Sequence, residues 1–320
     1  MVKYWRALHR LRGKNGGKIR HAIPQSKSFR AWGHPISWRV ALCVLGTALL
    51  CGCSTFLGSF PEKNELTLYA WLHYSREELF LMGEQASAYF VMVTFQNMEW
   101  FAAFLPLLSA FLVVADFSGQ WFGGYYYFSI SRKSRKKYAA EWMVRAGLQS
   151  FFCIVCGILV YFLLVSCKFP HYGEFHISAD SSIVAMGYGA TAGKRFATLF
   201  LKVFHIGLLA AVSAMASVAL TVLCKDGFFS ISSLVLIEYF SKKLYETYEG
   251  GLIARFYNQG QEVPMPYKAI RFLFPSNHLY YDQSFSNEYG IGYWLYLVFL
   301  ALLAAGIWEW FYWMVKRRDG

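Results

Sequence analysis

Apolar positions along this chain fall in long unbroken runs, without the alternation of a half-buried strand or the heptads of a coiled coil. Four stretches without a charged residue, 40–61, 146–167, 203–224 and 289–308, each hold about 20 residues, enough to cross a hydrocarbon core of about 30 Å as a helix. A shorter run at 100–115 follows the uncharged stretch 85–98, with only Glu99 between them. The weakest, 227–237, approaches spanning length only as a helix that continues through Glu238 to Lys242 and Lys243, whose long stems can snorkel to the surface. The pattern predicts an all-α integral membrane protein with six transmembrane helices, at about 40–61, 98–116, 146–167, 203–224, 227–243 and 289–313. Two connections, 62–97 and 241–291, are too long for simple turns. The second carries Phe272-Leu273-Phe274-Pro275, which suits a segment that dips back toward the membrane where protein shields its backbone.

Composition agrees. Hydrophobic residues make up 56% of the 320 positions and charged residues 16%, against about a quarter charged in a soluble domain. Aromatics cluster where spans end, at Trp121, Phe122 and 125–128, and again from Trp308 to Trp313; Tyr and Trp favour the headgroup region. In the fourth span the small residues 210–217 put Ser213 and Ser217 on one face, a packing signal between helices.

Charge then sets the orientation. Residues 1–39 hold ten Lys or Arg and no acid. Such a block can be a nucleic-acid arm, but directly before a span it marks a cytoplasmic flank able to lie along anionic lipid as an interfacial helix. The run 132–137 and the tail 316–320 are the other dense basic segments, while 62–97 is net acidic. Basic residues in short loops face the cytoplasm. Both termini are therefore expected there, and 62–97 and 241–291 outside. That parity needs the weak fifth helix as a crossing, and the protein is expected in the cell membrane.

Candidate chemistry is sparse. Cys153 and Cys156 form a CxxC, but within an apolar run they read as neighbours on a buried helix, and the seven cysteines imply no disulfide framework. The run around Cys51 and Cys53 resembles a lipoprotein cleavage site only loosely, and an uncleaved first helix is expected. Residues 187–195 lack the Ser or Thr that must follow the Lys of a phosphate-binding loop. His171, Glu174 and His176 offer zinc-type donors at a spacing that matches no zinc signature. Lys202 and His205 lie near the outer end of the fourth span. Ionisable groups there invite a pathway role, although Lys202 can snorkel outward. No catalytic constellation emerges, and the expectation is a non-enzyme that needs no cofactor of its own.

The informative segment is 107–145, where a span ends in Asp116, Ser118 and Gly119, and a basic stretch then carries Ser131, Arg132, Ser134, Arg135 and Tyr138. It resembles the permease subunits of ABC-2-type exporters, in which an acidic residue and a Ser-Gly close the second span and a Ser-Arg, Ser-Arg, Tyr segment enters the third. In that family this cytoplasmic segment contacts a separate ATP-binding cassette ATPase, which binds the ATP and magnesium. The resemblance implies that these eight residues form the coupling contact. It also implies pairing with a second permease half, as a homo- or heterodimer, surrounded by membrane lipids, with no nucleic-acid partner. After the Tyr the family often carries a Lys a turn later; this chain has Glu141 and Trp142, and Arg145 is the charge available to take that place. The alternative expectation is a non-transporting membrane protein, such as an immunity, sensor or assembly factor, binding partners through its loops.

Overall fold

The computed structural model describes residues 38–57, 65–95, 99–171, 192–248, 251, 255–256, 259–260, 278 and 293–317. The basic arm, most of the outer segment 249–292, and Glu174, His176 and 187–191 lie outside them. The described elements are α1 (Trp38–Cys53), β1 (Phe56–Leu57), β2 (Glu65–Leu66), α2 (Thr67–His73), α3 (Arg76–Leu81), a 3-10 turn (Glu84–Ala86), α4 (Ala88–Val93), α5 (Glu99–Phe122), α6 (Tyr125–Arg132), α7 (Arg135–Lys168), α8 (Ala192–Cys224), α9 (Gly227–Tyr248) and α10 (Tyr293–Arg317). Apart from one antiparallel pairing of dipeptides, Phe56 opposite Leu66, the regular structure is helical. Among the described residues four helices, α5, α7, α8 and α10, are long and apolar enough to cross a membrane, and α1, at 16 residues, is shorter.

Several boundaries differ from expectation for identifiable reasons. α1 stops at Cys53 after 16 residues, about 24 Å, rather than running to 61. The Thr55 hydroxyl donates to the Cys51 carbonyl at 3.1 Å, and the Thr55 carbonyl accepts the Thr67 amide at 2.9 Å, turning the chain into the β1–β2 pairing. α7 begins at Arg135, eleven residues before the apolar run, because the Ser134 hydroxyl caps it by accepting the Lys137 amide at 3.3 Å. At 34 residues α7 is about 51 Å long, well beyond a hydrocarbon core. α9 does continue through Glu238 to the lysines, reaching 22 residues, but those charges keep it out of the apolar set.

The described part of the connection 62–97, residues 65–95, is more than a loop. Ser75 and Glu78 form a capping box at α3: the Ser75 hydroxyl accepts the Glu78 amide and the Glu78 carboxylate accepts the Ser75 amide at 2.6 Å. These bonds hold the Glu78 carboxyl below its ordinary range. The support they give α3 is present at neutral pH and is lost as pH falls through the carboxylate range. α4 then turns inward with all six residues buried, packed on α7 and α8. The Ala88 amide donates to the Pro170 carbonyl at 2.9 Å, and the Tyr161 hydroxyl reaches the Val91 carbonyl at 3.5 Å. Protein rather than lipid surrounds this short helix, which is the condition for irregular backbone at membrane depth.

α7 is the central helix. Its buried residues, among them Ala139, Met143, Ala146, Ser150, Ile154, Ile158, Tyr161 and Val165, recur every three or four positions along one stripe. The Ser150 hydroxyl donates to the Ala210 carbonyl of α8 at 3.2 Å. On α8 the buried stripe is Ala210, Ala214, Ser217, Val218 and Thr221, with Ser213 only half-buried, so the packing face lies beside the 213/217 face read from spacing. α9 joins it through Ser230, whose hydroxyl donates to the Ser217 carbonyl at 2.5 Å and accepts from Thr221 at 3.0 Å.

α1 approaches α7 at Gly157, where an added Cβ would lie 2.5 Å from the Thr47 Cβ and 2.8 Å from the Val44 carbonyl oxygen. Backbone cannot swing aside as a flexible side chain can. Gly157→Ala is therefore expected to force α1 from α7 and cost about 1–3 kcal/mol, lowering the thermal midpoint in detergent. Gly306→Ala, whose Cβ meets nothing within 4 Å, is expected to leave the midpoint unchanged or raise it. Equal midpoints for the two variants would refute the close packing.

Candidate functional site

Two groups of side chains carry the chemistry, one at each end of the helix bundle. The first lies where α5, α6 and α7 meet. α5 ends at Phe122, and the turn into α6 places Gly124 at φ +80°, a left-handed conformation that suits glycine. α6 is anchored from below by Tyr126, whose buried hydroxyl donates to the Val315 carbonyl of α10 at 3.1 Å. Around it Trp121, Phe117, Tyr138, Trp142 and Phe311 form an aromatic cluster with ring centroids 4.2 to 6.5 Å apart, mostly edge to face. Four helices, α5, α6, α7 and α10, are thereby locked together.

The eight residues singled out in sequence separate by role. Asp116 sits half-buried, accepting from Arg39 of α1 at 2.8 Å and from Arg145 of α7 at 3.4 Å. Arg145 therefore does lie against the acidic end of the second span, with its guanidinium 5.1 Å over Trp142. Ser118 bonds to the Ala115 carbonyl of its own helix and lies against Gly227, the first residue of α9. Gly119 is exposed, and its carbonyl accepts the Gly123 amide at 3.0 Å. Ser131 bonds to the Phe128 carbonyl at 2.8 Å, and Arg132 stacks 4.2 Å from the Phe128 ring. Ser134 is the α7 cap. Tyr138 is buried beneath α6, while Arg135 is half-exposed at the corner. Glu141, where the resemblance leads one to expect a Lys, pairs with Lys133 at 2.5 Å and braces that corner. The outward face of α6 is left with Tyr127, Phe128, Ser131 and Arg132 exposed.

The second group lies at the opposite end of α8. Lys202 does not snorkel: it is 2% exposed, and its ammonium donates to the Val93 carbonyl at the end of α4. His205 is fully buried, with Nε2 2.6 Å from the His278 carbonyl, which can only accept. That fixes the proton on Nε2 and leaves Nδ1 to accept from the Tyr293 hydroxyl at 3.4 Å. The His278 ring in turn has Nδ1 2.9 Å from the Tyr296 hydroxyl and lies parallel to Phe299. One residue of the connection between α9 and α10 is thus inserted between α8 and α10. His171, exposed just past α7, is the only member of the His171/Glu174/His176 set within the described residues.

Val93, His278, Tyr293, Tyr296 and Arg39 were not legible as site residues. Their partners lie from 73 to 109 residues away, or, for His278 and Tyr296, 18 away. The one signal for the Lys202 group in the sequence is the presence of ionisable residues within an apolar run.

These features define an α-helical, membrane-embedded protein. No family model matches the sequence, and no curated protein or solved structure matches it either.

Asp116, Arg39 and Arg145 are each about a third to two-fifths exposed, so solvent screens them. A double-mutant cycle of Arg39→Gln and Asp116→Asn is expected to give a coupling of about 1 kcal/mol, shrinking as salt is raised. Zero coupling at low salt would show that the ion pair does not hold α1 to α5.

Proposed function

We propose that this chain is the membrane-spanning subunit of an ABC-2-type exporter in the cell membrane. It would bind no nucleotide and perform no chemistry. With a second permease half it would form the translocation path, driven by a separate ATP-binding cassette ATPase. The observation that carries this reading is the mounting of α6. A two-turn helix presents Tyr127, Phe128 and Arg132 outward, while Tyr126 ties it to α10 and Ser134, Tyr138 and Glu141 tie its far end to α7. A force on such a helix moves the spans on either side of it. An exposed patch of aromatic and basic side chains is also the composition favoured at protein–protein contacts.

In this reading α1 and α9 complete six crossings. α1 is short and α9 is charged near its end, but Lys242 and Lys243 sit where they can reach a headgroup region. Both termini then face the cytoplasm, together with α6 and the 132–137 run. Lys202, His205 and His278 stand at the outer end, where the path opens.

Two measurements test it. Affinity purification of the chain from its native membranes is expected to carry an ATP-binding cassette ATPase with the wild type and to lose it with Arg132→Glu/Arg135→Glu; an ATPase complex indifferent to that reversal, or no ATPase with the wild type, removes the coupling role. A fluorescent protein fused after Gly320 is expected to fold and fluoresce in the cytoplasm. A C-terminal fusion active only outside the cytoplasm would break the six-crossing topology.

A further inference from the structure

Between α7, α8 and α10 lies a cavity of about 580 Å³, inside the size range of small-molecule pockets. One wall is Val144, Leu148 and Phe151 of α7, the second is Ala211 and Met215 of α8. The third is Ala301, Ala304, Ala305 and Trp308 of α10. The cavity exists because α10 carries small residues at 301, 304 and 305, on the face turned toward α7, where larger ones would close the space. Val144 and Leu148 are more than half exposed, so the groove opens sideways, in a bilayer toward lipid.

One end of this apolar groove is charged. Lys136, one turn before the lining residue Ala140, places its ammonium 5.7 Å from the Trp308 ring, and Trp308 stacks on Tyr312. Lys316 follows Tyr312 by four residues on the same stripe of α10 and is exposed. Arg135, Lys136 and Lys137 occupy the first turn of α7, with no acid among them. Cations there oppose the helix macrodipole, whose N-terminal end already favours negative charge. Glu141, the nearest acid along α7, is bonded to Lys133. The apolar walls and the cationic mouth are complementary to one kind of occupant, an amphiphile with an anionic head.

We infer that this groove is a binding site for an anionic phospholipid, with an acyl chain between α7, α8 and α10 and its phosphate at Lys136 and Lys316. Basic pockets between transmembrane helices recognise such headgroups. The inference does not depend on the coupling role of α6, because Arg132 and Arg135 are not its ligands.

The full chain, purified in detergent and incubated with dioleoyl phosphatidylglycerol or dioleoyl phosphatidylcholine, can be read by native mass spectrometry, which identifies the lipid retained by mass. One phosphatidylglycerol per chain is expected, held in preference to phosphatidylcholine. Lys136→Gln/Lys316→Gln, an exposed pair whose replacement leaves the core intact, is expected to reduce that preference by about fivefold for each lysine removed. Ala304→Phe is expected to displace both lipids while helicity by circular dichroism stays that of the wild type. If Ala304→Phe alters helicity, the lysine variant alone decides. Equal retention of the two lipids by the wild type, or a preference untouched by the lysine variant, overturns the proposal. So does a Leu148→Cys chain that cross-links to a second copy and retains no lipid, since a second subunit would then fill the groove.

Discussion

The hydrocarbon of a bilayer offers no water to a carbonyl that has lost its helical partner, and this protein answers that constraint with long side chains sent from neighbouring helices. The last four carbonyls of any helix lack intrahelical donors. Here Lys202 of α8 donates to Val93 at the end of α4, Lys168 of α7 to Trp71 near the end of α2, and Tyr126 of α6 to Val315 near the end of α10. His205 does the same for the carbonyl of His278, in the connection between α9 and α10. Each bond satisfies a backbone carbonyl and joins two elements distant in sequence. The short α4 can therefore turn inward beside α7 and α8 without leaving its last carbonyl bare.

The same bonds bear on how the two ends of the bundle communicate. At one end Asp116 gathers α1, α5 and α7, and an aromatic cluster adds α6 and α10. At the other, Lys202 and His205 join α8 to α4 and to the connection before α10. α7 and α8, bonded to each other at Ser150 and Ala210, run between the two ends. Close-packed helices transmit displacement instead of absorbing it. On the proposed reading, a push on α6 would reach the Lys202 end through these packed helices.

Much of this fold is legible in the apolar runs, because spans of about 20 uncharged residues have few other uses. α7, α8 and α10 fall on three of those runs; the fourth, 40–61, yields only the 16-residue α1, and the shorter run 100–115 yields the spanning-length α5. The less legible elements are those settled by single hydrogen bonds or by charges within an apolar pattern. Thr55 ends α1 early, Ser134 starts α7 early, and neither residue interrupts hydropathy. The inward turn of α4 was hidden because 85–98 reads equally well as the start of the second span. At the candidate site, Asp116 and Arg145 were recognisable as charges at span ends. Their meeting with Arg39 was not, since nothing local links residues 77 positions apart. The burial of Lys202 is hidden for a related reason: a long side chain near a span end ordinarily reaches the surface, and here α4 lies in its way.

The charge at the start of α7 separates stability from function. Were helix stability the only demand, the first turn of α7 would carry acids, as that of α3 does with Glu77 and Glu78. It carries Arg135, Lys136 and Lys137 instead, directly after Arg132 and Lys133. Each such cation at a helix N-terminus is worth a few tenths of a kcal/mol in the wrong direction. One acid, Glu141, offsets only Lys133. That concentration of positive charge suits anionic partners outside the chain. On the proposed readings the run divides between two of them: Arg132 and Arg135 face the surface that would meet an ATPase, and Lys136 faces the groove that would hold a lipid phosphate. On those readings a helix start that its own macrodipole disfavours would be the place where lipid and protein partners both act on α7.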